Sequence, residues 1–229
     1  MKAPSLPGAL LLGACVSAAV PAAEERYGAL GTEPFWGLSI EHGQIRYDRD
    51  GETAFSVPAP APRPIPGGRR YQTDRIMVTI VRSNACSDGM SDRVFEDEVT
   101  LVVAGETLHG CGGAILPPES LDQTGWAIVE IAGAAVRGEN DDNYVLSFEG
   151  GRVSGQAGCN RFSGSYSQNG DRLAFGPLIA TRMACPEPRM THERRALQIL
   201  GGPVRIAFPE GDKLVITGSG GAIRLERRI

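Results

Sequence analysis

The sequence predicts a mainly β, α+β protein: two small antiparallel-sheet, barrel-like domains, the C-terminal one with a single helix. Three observations carry that expectation. Thirty glycines and sixteen prolines among 229 residues break the chain every few positions, which suits short strands and not long helices. Between those breaks, β-branched and aromatic residues alternate with polar ones at a period of two. One stretch alone, near residues 188–200, repeats its apolar positions at helical spacing and carries start and stop signals.

The chain opens on a targeting signal. Lys2 is a minimal positive region, and the run from Ala9 to Val20 has the length and apolar character of a signal-peptide core. Two cleavage readings stand side by side. Leu12-Gly13-Ala14-Cys15 resembles the bacterial lipobox and makes Cys15 a lipidation candidate; Val20-Pro21-Ala22-Ala23 resembles an ordinary signal-peptidase site and ends the signal at residue 23. Either way the mature protein is expected to be exported, to the periplasm or to the envelope as a lipoprotein. Membrane attachment would then run only through that N-terminal anchor, because no apolar run reaches the roughly 18 to 20 residues of a spanning helix.

Residues 28–116 form the predicted N-terminal β domain, after a short polar lead-in from Glu24 to Leu30. Trp36, Leu38 and Ile40 alternate as one face of a strand, and His42-Gly43 and Asp50-Gly51 bracket a second strand over Ile45 to Asp48. A third follows near Thr53 to Val57. Pro58, Pro60, Pro62, Pro64 and Pro66 recur at every second position; lacking the ladder donor, they predict an extended surface loop across one end of the barrel. Ile76 to Val81 and Val99 to Val103 are alternating β-branched runs, and Ala104-Gly105 turns the latter into a strand over Thr107 to Cys111. Ser83 to Asp92 reads as a polar loop pinned by Cys86. Asn84, Asp88 and Asp92 offer oxygens there, but their spacing is not that of a calcium loop, so solvated turn residues are the expectation.

A composition shift at residues 117–124 marks the linker, and residues 125–229 the second domain. Trp126 to Ile131 starts it; Glu139 to Asn143 is a polar loop; Tyr144, Leu146 and Phe148 share a strand face. Gly150-Gly151 and Asn169-Gly170 are tight-turn signals. Pro188 suits the first turn of the helix, Met190, Arg194, Leu197 and Leu200 give its apolar stripe, and Gly201-Gly202-Pro203 stops it. Val204 to Phe208, Leu214 to Thr217 and Ala222 to Leu225 are closing strands.

A net charge of −4 supplies no basic field, which argues against nucleic acid as a partner. Beyond Cys15, four cysteines remain, an even number suited to an oxidising compartment. They permit three pairings, and spacing alone does not choose. Cys86 with Cys111 and Cys159 with Cys185 is the expected set, because each bond then stays within one domain. No C-x-x-C is present, and no histidine lies near a cysteine pair at zinc-ligand spacing except His109 beside Cys111, so neither a metal nor any other cofactor is expected.

The stretch Gly155 to Cys185 then carries a resemblance. Val153-Ser154-Gly155, Gly158-Cys159-Asn160-Arg161-Phe162-Ser163-Gly164, Tyr166, Thr181-Arg182-Met183-Ala184-Cys185 and Glu193 resemble the META domain of the heat-inducible HslJ proteins, over about residues 125–229. The resemblance implies a small α+β domain in a bacterial envelope protein with a stress-associated role and no accepted catalytic residues. Gly31-Thr32-Glu33-Pro34-Phe35-Trp36, Cys86 to Ser91 and Leu108 to Gly113 are similar to an uncharacterised domain of bacterial exported proteins.

Searches for a catalytic signature return nothing: no nucleophile elbow, phosphate loop, dinucleotide fingerprint or H-E-x-x-H, since His192-Glu193 is followed by Ala196 where the second histidine belongs. His42, His109 and His192 are expected at the surface or in turns. Glu193 is expected to reach toward Arg161 or Arg182 as a structural pair, the alternative being a polar groove formed by Asn160, Arg161, Arg182 and Glu193. The functional expectation is a non-enzymatic envelope protein that binds a protein, peptide or cell-wall ligand. The alternative is an inhibitor of an exogenous hydrolase, a lysozyme or a protease, with the Ser83 to Asp92 loop as its contact.

Overall fold

The computed structural model describes residues 26–136 and 143–228. The expected signal peptide, the lipidation candidate Cys15 and most of the Glu139 to Asn143 run lie outside the described residues. Two antiparallel sheets divide the rest, the first ending at Ile115 and the second starting at Thr124.

The first sheet is an open half-barrel of nine strands: β1 (Tyr27–Thr32), β2 (Phe35–Glu41), β3 (Gln44–Arg49), β4 (Phe55–Pro58), β5 (Arg63–Ile65), β6 (Gly68–Gln72), β7 (Ile76–Ser87), β8 (Val94–Val103) and β9 (Glu106–Ile115). Their spatial order is β4-β3-β2-β1-β9-β8-β7-β6-β5. Alternate residues Leu38, Ile40, Ile45, Tyr47, Ile76, Val78, Ile80, Val99 and Leu101 form one buried cluster, as period-two patterning requires. Strand β1 corrects the expected lead-in. It pairs with β2 over its whole length and with β9 at Ala29↔Gly112 and Leu30↔Cys111, so it is the central stitch of the sheet. Small residues hide its alternation, and one of them is required there. A Cβ on Gly31 would lie 2.7 Å from the His109 carbonyl oxygen and inside the Trp36 indole.

The proline segment does more than loop. Pro58 ends β4 and Pro64 sits in β5, and these are the two edge strands. A proline on an edge lacks the N–H that would template another strand, which protects the two open ends of the half-barrel from further pairing. The loop expected over Ser83 to Asp92 is also shorter than read: β7 continues to Ser87 through a register shift between Arg82 and Cys86, with Asn84 at φ 55°.

The second sheet holds β10 (Thr124–Ile131), β11 (Ala134–Ala135), β12 (Tyr144–Glu149), β13 (Arg152–Ala157), β14 (Arg161–Asn169), β15 (Arg172–Phe175), β16 (Ile179–Ala180), β17 (Val204–Glu210), β18 (Lys213–Gly218) and β19 (Gly221–Arg227). Eight of them close a barrel in the order β10-β12-β13-β14-β15-β17-β18-β19, with β19 returning to β10; β11 hangs on β10 and β16 on β14. Closure leaves the barrel without a long exposed edge. Its core holds Trp126, Leu146, Phe148, Ile216 and Leu225. Leu121, fully buried within the expected linker, belongs to it as well: its carbonyl accepts from Thr124 Oγ1 at 2.6 Å, and that hydroxyl accepts from Trp126 Nε1 at 2.7 Å. Gly150 and Gly151, at φ 56° and 73°, make the expected hairpin turn. The next turn falls one residue later than read, at Gly170-Asp171, because Asn169 pairs with Arg172.

Helix α1 (Arg189–Leu200) lies against the barrel, touching β10, β13, β18 and β19. Its buried stripe is His192, Glu193, Ala196, Ile199 and Leu200, not the expected Met190, Arg194, Leu197 and Leu200. The spacing is helical in both cases, but two polar residues in the true stripe conceal it from a hydrophobicity reading. The two halves meet at Gly211, where a Cβ would collide with the Ile115 carbonyl oxygen, and at Arg227. Its side chain, only 6% exposed, lies 5.5 Å from the Trp126 ring centroid, and its Nη2 is 2.6 Å from Asp92 Oδ2 on the far side of the boundary.

Candidate functional site

The G-C-N-R-F and M-A-C blocks come together where β13 passes to β14 beneath the chain segment that leads to α1. Gly158 makes the passage possible, at φ 124° and with its missing Cβ pointing 2.7 Å from the Arg189 carbonyl oxygen. Next to it, Cys159 is disulfide-bonded to Cys185 across 5.9 Å between Cα atoms. Cys86 and Cys111 are bonded likewise in the first half, with Cα atoms 5.6 Å apart.

Asn160 is the hub. It is 2% exposed, and every polar atom of its side chain has partners. Oδ1 accepts from Thr181 Oγ1 at 2.8 Å and from Met183 N at 2.7 Å. Nδ2 donates to the Met183 carbonyl at 3.1 Å and to Glu193 Oε2 at 3.0 Å, while the Asn160 backbone N donates to the same Oε2 at 2.7 Å. One side chain thus ties the segment over 181–183 to the helix through the barrel wall.

This arrangement corrects the expected pairing. Glu193 does not reach Arg161 or Arg182, which are both exposed; it turns inward to Asn160, so the four residues form no common groove. Arg161 instead borders an open cleft of about 630 Å³ with Ile179, Ala180 and Thr181. His192 is also not a surface residue. It is 8% exposed and its Nδ1 lies 2.8 Å from the Tyr144 hydroxyl. Burial, followed by the nearby Arg195 guanidinium, holds its imidazole below the ordinary value of 6.5, against a small upward pull from Glu187. The folded protein therefore keeps His192 neutral over a range in which the unfolded chain takes up a proton. Stability is expected to fall as pH drops below about 6.5 and to level off below the depressed folded value. His192→Gln should flatten that part of the pH profile of the urea midpoint; an unchanged profile would remove His192 as its cause. His42, at φ 50°, and His109, exposed on β9, sit where the sequence places them.

A second place is assembled in the first half. Gly31 to Glu33, Cys86 to Met90 and His109 to Cys111, three blocks remote in sequence, line one open cleft of about 550 Å³ together with Glu98, Val99 and Thr100. The Cys86–Cys111 bond joins two of these blocks, and Thr32 Oγ1 donates to the Asp88 carbonyl at 2.8 Å to join the third. Asp88 is occupied by its own turn: Oδ1 accepts from Met90 N at 3.0 Å and Ser91 N at 2.8 Å, and Oδ2 from Ser91 Oγ at 2.8 Å. Burial pushes the Asp88 carboxyl up, but the Ser91 and Met90 hydrogen bonds together outweigh it and hold the group below the usual carboxylate range. With Asp92 engaged by Arg227 and Asn84 within β7, the three oxygens do not converge on a cation. Among the described residues no cluster of three or more His, Cys, Asp or Glu side chains is arranged to hold a metal. Met90 projects over the cleft's rim, 66% exposed. Thr32, Glu98 and Thr100 also line this cleft, and the sequence reading did not single them out: Glu98 and Thr100 lie on β8, away from the cysteine blocks.

Residues 119–228 match the family model of the META domain. Two similar solved structures are both NMR structures. One, of a protein from Burkholderia xenovorans, is 28% identical over 47% of this chain and 83% of its own, with a TM-score of 0.39. The other is 20% identical over 48% of this chain and 94% of its own, with a TM-score of 0.42. A comparison with curated proteins returns no match.

Proposed function

We propose, from the premise that residues 119–228 are a META domain, that this chain is a non-enzymatic, stress-related binding protein of a bacterial cell envelope. The META domain and the two disulfides are compatible with export to an oxidising compartment. The observation that carries the binding reading is the cleft of the first half, which three distant blocks build around a disulfide and which Glu33, Asp88 and Glu98 line without any Lys or Arg. Such a surface favours a ligand bearing amines, such as a basic peptide or an amine-bearing cell-wall fragment. The polar hub around Asn160 supports the non-catalytic side of the reading, because its groups are consumed in holding backbone and none is left to act on a substrate.

Titration of the mature chain with a lysine-rich peptide and with soluble muropeptides, followed by amide chemical shifts, tests this. Saturable shifts are expected at Thr32, Met90 and His109, and Met90→Asp should change the affinity severalfold while leaving the fold intact. Shifts confined to other surfaces, or none with either probe, would sink the reading.

A further inference from the structure

We infer that Ile179–Met183 is a substrate-like inhibitory loop, with Arg182 as its anchor, for an arginine-specific serine peptidase met outside the cell. The inference rests on the reading of the chain as a binding protein and names one class of partner and the segment that engages it.

The segment combines two properties that seldom coincide. Its side chains are outward: Ile179 is 77% exposed, Met183 57%, and Thr181 and Arg182 are exposed between them. Its backbone is nevertheless fixed. Ile179 and Ala180 pair with Ser163 and Phe162 of β14, Thr181 N donates to the Arg161 carbonyl at 3.0 Å, and Cys185 is bonded to Cys159. Asn160 completes the support from below, holding Thr181 through its hydroxyl and Met183 through both its N–H and its carbonyl. The residues on either side of Arg182 are therefore clamped by one buried side chain, itself held by Glu193. Arg182 has no hydrogen-bond or ion-pair partner among the described residues, so its guanidinium is free to enter a pocket.

A flexible arginine peptide loses conformational freedom when it enters a peptidase cleft, and a loop already fixed in place avoids most of that cost. The carboxylate at the base of a trypsin-type specificity pocket supplies the charge for the guanidinium. The same clamp opposes turnover. Attack of the peptidase serine on the Arg182 carbonyl breaks the amide to Met183 and leaves an ester on the enzyme and a free amine on Met183. Asn160 and the Cys159–Cys185 bond keep that amine beside the ester. It can attack the ester carbonyl, re-form the amide and return the proton to the serine oxygen faster than water completes hydrolysis.

Trypsin and a chromogenic arginine substrate, with the full mature chain as titrant, provide the test. Reversible inhibition is expected, retained by Arg182→Lys and weakened about a hundredfold or more by Arg182→Ala, which alters an exposed side chain and should keep the wild-type melting curve. Thr181→Val removes one strut of the clamp and should speed cleavage of the 182–183 bond. Unimpeded trypsin at every concentration, rapid cutting at that bond without inhibition, or inhibition that survives Arg182→Ala would each overturn the inference and leave the binding reading standing. Hydrolysis of the substrate by the chain alone would overturn that reading, and the inference with it.

Discussion

Asn160→Ala is expected to destabilise the C-terminal barrel by about 3 kcal/mol or more. The substitution removes the partners of Thr181 Oγ1, of the Met183 N–H and carbonyl, and of one side of the Glu193 carboxylate, all at a position that is 2% exposed. The dominant loss is that of Glu193, which is 9% exposed and would keep only the Asn160 backbone N–H. A buried charge stripped of hydrogen bonds costs more than the mean value of the bonds themselves. Glu193→Ala in the Asn160→Ala background should therefore cost much less than Glu193→Ala alone, because the carboxylate it deletes has already lost its side-chain partner. The two tryptophans fall one in each half, so Trp36→Phe leaves Trp126 to report the C-terminal barrel alone during urea unfolding. Strict additivity of the two losses would show that the hub does not couple the segment over 181–183 to the helix.

The sequence disclosed the period of the strands better than their partners. Trp36 to Ile40, Ile76 to Val81 and Tyr144 to Phe148 alternate plainly because each has one face in a core and one in solvent. Strand β1 was illegible because close approach to Trp36 and β9 requires small residues, and small residues carry no alternation. The closed barrel was likewise out of reach: β10 joins β19 across nearly the whole second half of the chain, a pairing with no local signature. Both disulfides were legible, since confinement of each bond to one half follows from the domain boundary.

Polar groups were the least legible part. Glu193 and His192 sit in the buried stripe of α1, where pattern reading assigns charge to the solvent side, and their burial is set by Asn160 and Tyr144 from other strands. The expected attraction of Glu193 to an arginine failed for a physical reason. Arg161 and Arg182 keep their charge in water, while three N–H contacts from Asn160 satisfy the carboxylate without burying a second charge. The Arg227–Asp92 contact between the halves had no sequence signal, because the two are 135 residues apart and each alone reads as a solvated surface residue.

Cys159→Ser is expected to lower the stability of the same barrel by roughly 3.5 kcal/mol, the loop-closure entropy released to the unfolded chain when a link spanning 26 residues is removed. Cys86–Cys111 spans 25 residues and predicts nearly the same loss in the half-barrel, so an entropic origin requires the two effects to be similar in size. The chemistry at the freed thiols should differ. Cys185 is half-buried on an otherwise exposed segment, and in Cys159→Ser it should alkylate in the folded protein. Cys86 and Cys111 remain bonded, so they offer no thiol to the alkylating agent without a reductant, and at no more than 8% exposure their bond should resist mild reduction while the first half stays folded. Mass spectrometry of the folded variant after alkylation, with and without reduction, reads both results at once. Under mild reduction, a label on Cys86 or Cys111 in the variant but not in the wild type would mean that loosening the second half opens the first; a label on Cys185 alone would make the two halves separate units of stability despite their contacts.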